Sequence, residues 1–239
     1  MTAADDRVRS RCADNVAAVR DRIAAACRLA GRPADAVRLV AVTKYVDAAT
    51  TRLVAECGCP DLAESRPQQI WAKAEALAAS GPAVRWHLVG HLQRNKVRRT
   101  LPALAVIHTL DSRRLLEAVE AEGAVLGLAC DVLVEVNLAA DSGRSGTPVA
   151  EVPGLVAAAA AARHVRLRGL MGMASHPDSP AADARRDFAR LRDLRDTLVG
   201  VAPADALREL SMGMSGDFEA AILEGSTMVR IGSALFEGL

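Results

Sequence analysis

The chain has 239 residues, with 30 Lys and Arg against 29 Asp and Glu and a net charge of +1. That length can bury one full core, and near neutrality removes the electrostatic case for nucleic acid or another polyanionic partner. Asp5, Asp6, Arg7, Arg9 and Arg11 crowd the start, and the longest bland stretch, Ala157 to Ala162, is stopped by Arg163 and His164. No signal peptide or membrane span is therefore expected, and a cytoplasmic location is.

The cysteines Cys12, Cys27, Cys57, Cys59 and Cys130 are odd in number and scattered. They make no disulfide framework, and Cys57-Gly58-Cys59 lacks zinc-knuckle spacing, so all five are expected to be reduced.

Residues 5 to about 30 carry Val8, Val16, Val19, Ile23, Cys27 and Ala30 at helical spacing, and Gly31-Arg32-Pro33 closes that helix. Val37 to Lys44 is a short β-branched strand that delivers a lysine at its C-terminal end. Such a lysine either reaches solvent or enters a pocket where it can perform carbonyl chemistry. A helix follows from Ala48 to Cys57, then a strand and its exit at Asp61 to Ser65, then a helix from Pro67 to about Ala79.

The third strand runs from Arg85 to His91 and leads into a basic helix from Arg94 to Thr100. The fourth, Ala105 to Leu110, precedes a helix capped by Asp111 or Ser112. The fifth is Asp131 to Leu138, followed by the loop Asp141 to Gly146 and a helix from Val149 to Arg163. The sixth, Leu167 to Met173, gives way to the polar loop Ser175 to Pro180 and a helix to about Val199. A weak seventh strand at Glu209 to Ser211 turns into a helix from Asp217 to Leu223, and the eighth, Thr227 to Gly232, ends in a short helix from Ser233.

Eight alternations of strand and helix behind one leading helix predict a parallel sheet covered by helices. The fold expected is a single (β/α)8 TIM barrel with an extra N-terminal helix. A doubly wound open sheet is the alternative, but no G-x-G-x-x-G follows the first strand. No linker interrupts the pattern, so residues 1–239 form one domain, with 1–33 as the leading helix and 37–239 as the barrel.

In such a barrel the strands' C-terminal ends gather function. Those ends include Lys44, Glu64-Ser65, His91, Thr109, Asn137, Met173, Ser211 to Ser215, and Arg230 to Ser233. Ser211-Met212-Gly213-Met214-Ser215-Gly216 passes from a strand through glycines toward a helix, and Arg230-Ile231-Gly232-Ser233 repeats the arrangement. Two such turns after strands seven and eight either form a phosphate site or are ordinary glycine turns. A phosphate opposite a strand-one lysine points to pyridoxal 5′-phosphate.

His87, His91 and His108 lack partners at metal spacing and are expected to be structural, with His176 in an exposed loop. The run Gln93 to Arg99 is expected to be a solvated basic face. Asn137 is a weak candidate for the mouth.

Five stretches carry a resemblance: Ala41 to Lys44, Trp86 to Lys96, Arg168 to Met171, Leu210 to Asp217, and Gly225 to Ser233. In these the sequence resembles the pyridoxal phosphate homeostasis proteins, whose barrel is similar to the N-terminal domain of alanine racemase. The resemblance implies that Lys44 carries pyridoxal phosphate as a Schiff base. It also implies that Ser211, Ser215, Gly232 and Ser233 surround the phosphate and that Arg230 faces the pyridine nitrogen, with Gly213 also among the cofactor-binding residues. Ser65 stands where the family has asparagine in a Phe/Leu-Gly-Glu-Asn segment, so this cofactor-lining position departs from the pattern.

An arginine at the ring nitrogen keeps it unprotonated and weakens the electron sink. Racemases with such an arginine add a tyrosine base from another domain. Here the one tyrosine is Tyr45, expected from strand alternation to point away from Lys44. The expectation is thus a monomeric cofactor-holding protein, with pyridoxal-phosphate-dependent apoenzymes as recipients and no efficient racemase turnover. The alternatives are a weak racemase or lyase using the same lysine, and a phosphate-sugar enzyme with Glu64 as its acid-base group.

Overall fold

The structure is a computed structural model, and it describes residues 3–78, 81–138, 145–175 and 183–239. The expected loop around Asp141 to Arg144 and the loop residue His176 lie outside the described residues. The leading helix α1 spans Ala3–Leu29. Its buried stripe is Cys12, Val16, Val19, Ile23 and Cys27, one side chain every three or four residues, whereas Val8 is exposed. Gly31, at φ 66°, reverses the chain after it.

Among the described residues, nine parallel strands follow. They are β1 Arg38–Val42, β2 Asp61–Glu64, β3 Arg85–Leu88, β4 Leu104–Leu110, β5 Cys130–Asn137, β6 Thr147–Pro148, β7 Val165–Gly172, β8 Glu209–Ser211 and β9 Met228–Ile231. The hydrogen-bonded order is β4-β3-β2-β1-β9-β8-β7-β5-β6, and β4 also pairs with β5, which closes eight strands into a barrel. The two-residue β6 adds to the end of β5 through Val136↔Thr147 and Asn137↔Pro148. It has no counterpart in the sequence reading because two residues carry no periodicity.

The covering helices are α2 Ala48–Glu56, α3 Pro67–Ala78, α4 Val97–Thr100, α5 Arg113–Leu126, α6 Val152–Ala161, α7 Ala184–Thr197 and α8 Phe218–Leu223. Asp47 caps α2 by accepting from Thr50 N at 2.8 Å, and Ser112 caps α5 by accepting from Leu115 N. The expected basic helix is shorter than a full helix, with Arg94–Lys96 in a 3-10 turn ahead of α4. Among the described residues no helix is long and apolar enough to cross a membrane.

Strand alternation divides the core in two. On β9, Val229 and Ile231 join the large core under the helices, while Met228 joins Val40 and Ala63 inside the barrel. Val106, Leu133 and Met171 make a second interior cluster. Asp61, His87, His108, Glu135, Ser211 and Arg230 are among the buried polar residues.

The leading helix seals one flank. Asn15 Nδ2 donates to Leu235 O at 3.2 Å and Glu237 O at 2.9 Å, and the Arg22 guanidinium sits 4.6 Å over the Phe218 ring.

β7 carries a register shift between Val132 and Leu133 of its partner β5. Gly169 sits there at φ 155°, where an added Cβ would fall 1.8 Å from Glu209 O. Gly169→Ala is therefore expected to destabilise the protein by more than about 2 kcal/mol in urea titration, whereas Gly216→Ala, which meets open space, should lie within about 0.5 kcal/mol of wild type.

Candidate functional site

At the C-terminal end of the barrel a cavity of about 440 Å³ is bounded by Lys44, Ser65, Ser215, Arg230, Gly232 and Ser233, with an apolar wall from Val42, Val89, Met171, Met173, Met214 and Phe236. That volume suits a small organic ligand.

β1 ends at Val42, and Thr43 N still bonds Ala63 O at 2.9 Å before the chain turns with Val46 N bonding Thr43 O at 3.1 Å. Helix α3 clamps this turn from beneath. Gln69 Nε2 donates to Lys44 O at 3.1 Å, and Lys73 Nζ donates to Thr43 O at 2.8 Å. Lys73 is itself buried, paired with Glu64 Oε1 at 2.6 Å, and Thr43 Oγ1 donates to the same oxygen at 2.6 Å. Glu64 is thus committed to an ion pair beneath the lysine turn.

Tyr45 corrects the sequence reading. Its ring centroid lies 4.7 Å from Lys44 Nζ, and the side chain is 88% exposed at the cavity rim. Alternation holds only along a strand, and residues 44 and 45 form a turn beyond the end of β1.

Two turns face Lys44. In the first, Met214 N donates to Asp217 Oδ1 at 2.6 Å, and Gly213, at φ 95°, packs where a Cβ would meet Ala221 Cβ at 2.7 Å and Phe218 Cα at 2.8 Å. In the second, Gly232 precedes a 3-10 turn at Ser233–Leu235. The turns touch each other, since Gly232 N donates to Ser215 Oγ at 3.3 Å. Helix α8 has only six residues, so its dipole is weak and hydroxyls and amides are the donors at hand.

Arg230 is 5% exposed and points inward from β9. Nη1 donates to Ser211 O at 2.7 Å and Ser211 Oγ at 2.8 Å, and Nη2 donates to Gly172 O at 3.1 Å. Burial pushes its pKa down to about 10, opposed by the nearby Asp217 and Glu135, so it stays cationic at neutral pH.

Of the eight residues singled out in the sequence, six line the cavity. Ser211 and Gly213 do not. Ser211 is fully buried, with its hydroxyl between Arg230 and His108, and Gly213 packs against α8 while its carbonyl accepts from Arg230 N at 3.0 Å. Nor does Asn137 line it. The apolar wall was partly visible as inward strand positions, but Phe236 and Tyr45 carried no pattern. The Lys73 clamp had no local signal, because eight residues of strand exit and helix separate it from Glu64.

His87 bonds Asp61 and His108, and His91 Nδ1 lies 3.3 Å from Asp111 Oδ2. Among the described residues no group of His, Cys, Asp and Glu is placed to hold a metal ion, and the cysteines are free thiols. In the basic run, Arg99 stacks 4.0 Å over the Trp71 ring.

The closed barrel with a lysine at the end of β1 and two small-residue turns opposite it defines a class, and residues 15–239 match the family model for the alanine racemase N-terminal domain. The chain is 35% identical over 223 residues to the pyridoxal phosphate homeostasis protein of Aquifex aeolicus, covering 93% of this chain and 96% of that one. Among solved structures it is similar to PipY of Synechococcus elongatus with pyridoxal phosphate bound, at TM-score 0.83, 32% identity and coverage of 94% and 99%. A Bifidobacterium adolescentis protein of unknown function gives TM-score 0.89 and 37% identity, covering 97% and 96%. The chain belongs to the alanine racemase N-terminal domain family and, within it, to the pyridoxal phosphate homeostasis proteins.

Removing Lys73 tests the clamp. Lys73→Ala leaves the Glu64 carboxylate buried without its cation, and chemical denaturation should show a loss of about 3–5 kcal/mol. The double variant Lys73→Met with Glu64→Leu should recover most of it. A single variant within about 1 kcal/mol of wild type would show that the pair is not a support.

Proposed function

We propose that the protein binds pyridoxal 5′-phosphate in this cavity and holds it as a reversible store in pyridoxal phosphate homeostasis. The observation that carries the reading is the placement of Lys44, Ser215, Gly232, Ser233 and the buried Arg230 around one cavity. Two features of the chain fit this ligand. Arg230 brings a buried cationic donor to the cavity, suited to an acceptor in an aromatic ring, and the turns bring hydroxyls and a glycine backbone suited to a phosphate.

When bound, the cofactor supplies an aldehyde reactive toward amines and a ring that withdraws electrons. Lys44 provides the amine. Ser215, Gly232 and Ser233 take the phosphate, with Gly213 packing the first turn against α8. Ser65 lies along the cavity wall, and Met171, Met173 and Phe236 exclude water from it. The permanent charge on Arg230 prevents a proton from resting on the ring nitrogen, which limits carbanion chemistry.

Racemisation needs a proton delivered on the face opposite its removal. Tyr45 lies against Lys44 itself, so both groups occupy one side of the cavity. Efficient racemase turnover is accordingly not part of the proposed function. A cytoplasmic location, a monomeric state and transfer to apoenzymes complete the reading.

Titration with pyridoxal phosphate, followed by absorbance, tests it. Wild type should acquire a band at the violet edge of the visible range, and borohydride should fix the pyridoxyl group to the peptide containing Lys44. Lys44→Ala should give no such band, and Ser215→Ala and Ser233→Ala should each weaken uptake by about tenfold through loss of a donor to a charged group. Ser65→Asn should bind equally or more tightly. A wild-type protein that takes up no cofactor, or sustained conversion of an L-amino acid to its D-form, would overturn the reading.

A further inference from the structure

Four hydrogen bonds link five buried side chains into one chain through the barrel interior. Asp61 Oδ1 lies 2.9 Å from His87 Nε2, His87 Nδ1 lies 2.8 Å from His108 Nε2, His108 Nδ1 lies 2.8 Å from Ser211 Oγ, and Ser211 Oγ lies 2.8 Å from Arg230 Nη1. All five residues are 5% exposed or less. The chain runs from a cavity at the strands' N-terminal ends, lined by Asp61, His87, Arg38 and Arg85, to the C-terminal cavity lined by Arg230. His108 and Ser211 lie between the two.

The ends of this chain have fixed roles. An ionised carboxylate only accepts, and a guanidinium only donates. Burial raises the Asp61 pKa, but His87 and Arg85 donate to it and lower it on balance. Burial is the main cause that lowers the pKa of both imidazoles. Arg38 and Arg85 add to it at His87 against the carboxylate of Asp61, in a cavity that Asp131, Asp205 and Glu209 also line, and His87, Arg230 and Arg38 add to it at His108. Both rings are therefore neutral at neutral pH, and each carries one N–H.

With neutral rings a single arrangement makes every bond. Arg230 Nη1–H donates to Ser211 Oγ, the Ser211 hydroxyl to His108 Nδ1, His108 Nε2–H to His87 Nδ1, and His87 Nε2–H to Asp61 Oδ1. The Ser211 hydrogen is therefore committed away from Arg230, and a lone pair is held toward it. Both Nη1 hydrogens and one Nη2 hydrogen of Arg230 are then fixed by Ser211 and Gly172.

We propose that Asp61, His87, His108 and Ser211 are positioning residues for Arg230, forming a hydrogen-bond relay of one polarity whose direction is set by the carboxylate at the opposite end of the barrel. The proposal rests on the reading that the C-terminal cavity takes pyridoxal phosphate with Arg230 toward its ring. It assigns Ser211 to the orientation of the guanidinium rather than to the phosphate.

Asp61→Asn discriminates sharply. Arg85 Nη2 donates to the second carboxylate oxygen at 2.5 Å, so the amide oxygen of asparagine goes to Arg85 and its NH2 faces His87 Nε2. That nitrogen must then accept, which reverses the relay. His87 Nδ1 and His108 Nδ1 become protonated, and Ser211 Oγ receives donors from both sides.

Nitrogen-15 NMR of histidine-labelled protein, without cofactor, should place protons on Nε2 of His87 and His108 in wild type, unchanged between about pH 7 and 8.5. In Asp61→Asn the proton should move to Nδ1 on both rings. In protein loaded with pyridoxal phosphate, Asp61→Asn and Ser211→Ala should each shift the visible absorption maximum and raise Kd roughly three- to tenfold. Competition by inorganic phosphate should stay as in wild type.

Wild-type rings that titrate in this window or carry Nδ1–H would overturn the proposal. So would variants with unchanged nitrogen signals and an unchanged spectrum, or loss of phosphate competition in Ser211→Ala. If Asp61→Asn does not fold, Ser211→Ala decides through the spectrum. A wild-type protein that takes up no cofactor yet shows the expected nitrogen signals overturns the functional reading and not the relay's polarity.

Discussion

A guanidinium buried inside a barrel is the constraint on which the rest of this structure depends. Desolvating a permanent cation costs several kcal/mol unless acceptors surround it. Arg230 has no outward option, because Val229 and Ile231 on either side belong to the core beneath the helices. Its acceptors must then come from neighbouring strands: Ser211 closes β8 and Gly172 closes β7, and both present oxygens to it. Bringing β7 and β8 that close needs Gly169, where a side chain would strike Glu209 O. The hydroxyl of Ser211 must in turn place its hydrogen somewhere, and the imidazoles carry that requirement down to Asp61.

The lysines show the opposite use of charge. Lys73 is buried and fixed on Glu64, and it spends its remaining capacity on Thr43 O. Lys44 sits one residue later on the backbone that Lys73 and Gln69 hold, and its amine lies over the face of Tyr45. One lysine supplies rigidity, and the other faces the cavity. This division also removes Glu64 from acid-base work, and with it the phosphate-sugar enzyme that would have needed that carboxylate.

Much of this was legible in the sequence, for a physical reason in each case. Alternation of β-branched runs with helical stripes gave the eight units, and their C-terminal ends located Lys44, Arg230 and the two turns. Ser211 ends β8 as the sequence indicated, but its hydroxyl meets Arg230 and His108 inside the barrel instead of lining the cavity. Tyr45 was misplaced because alternation was carried past the end of β1. The relay was not legible at all. Its bonds span 26, 21, 103 and 19 residues of sequence, distances set by barrel closure and not by any local pattern.

The distribution of charge around the cavity bears on how tightly a phosphate can be held. Among its described lining residues Lys44 and Arg230 are the cations, and none of those residues is a carboxylate. Arg230 has most of its hydrogens committed to the barrel, and the turns that face Lys44 offer serine hydroxyls and glycine backbone. A hydrogen bond from a neutral donor to an anion is itself charge-assisted. The described part of the cavity therefore brings a lysine amine, a buried guanidinium and neutral donors to one ligand, which is the combination that the proposed cofactor store requires.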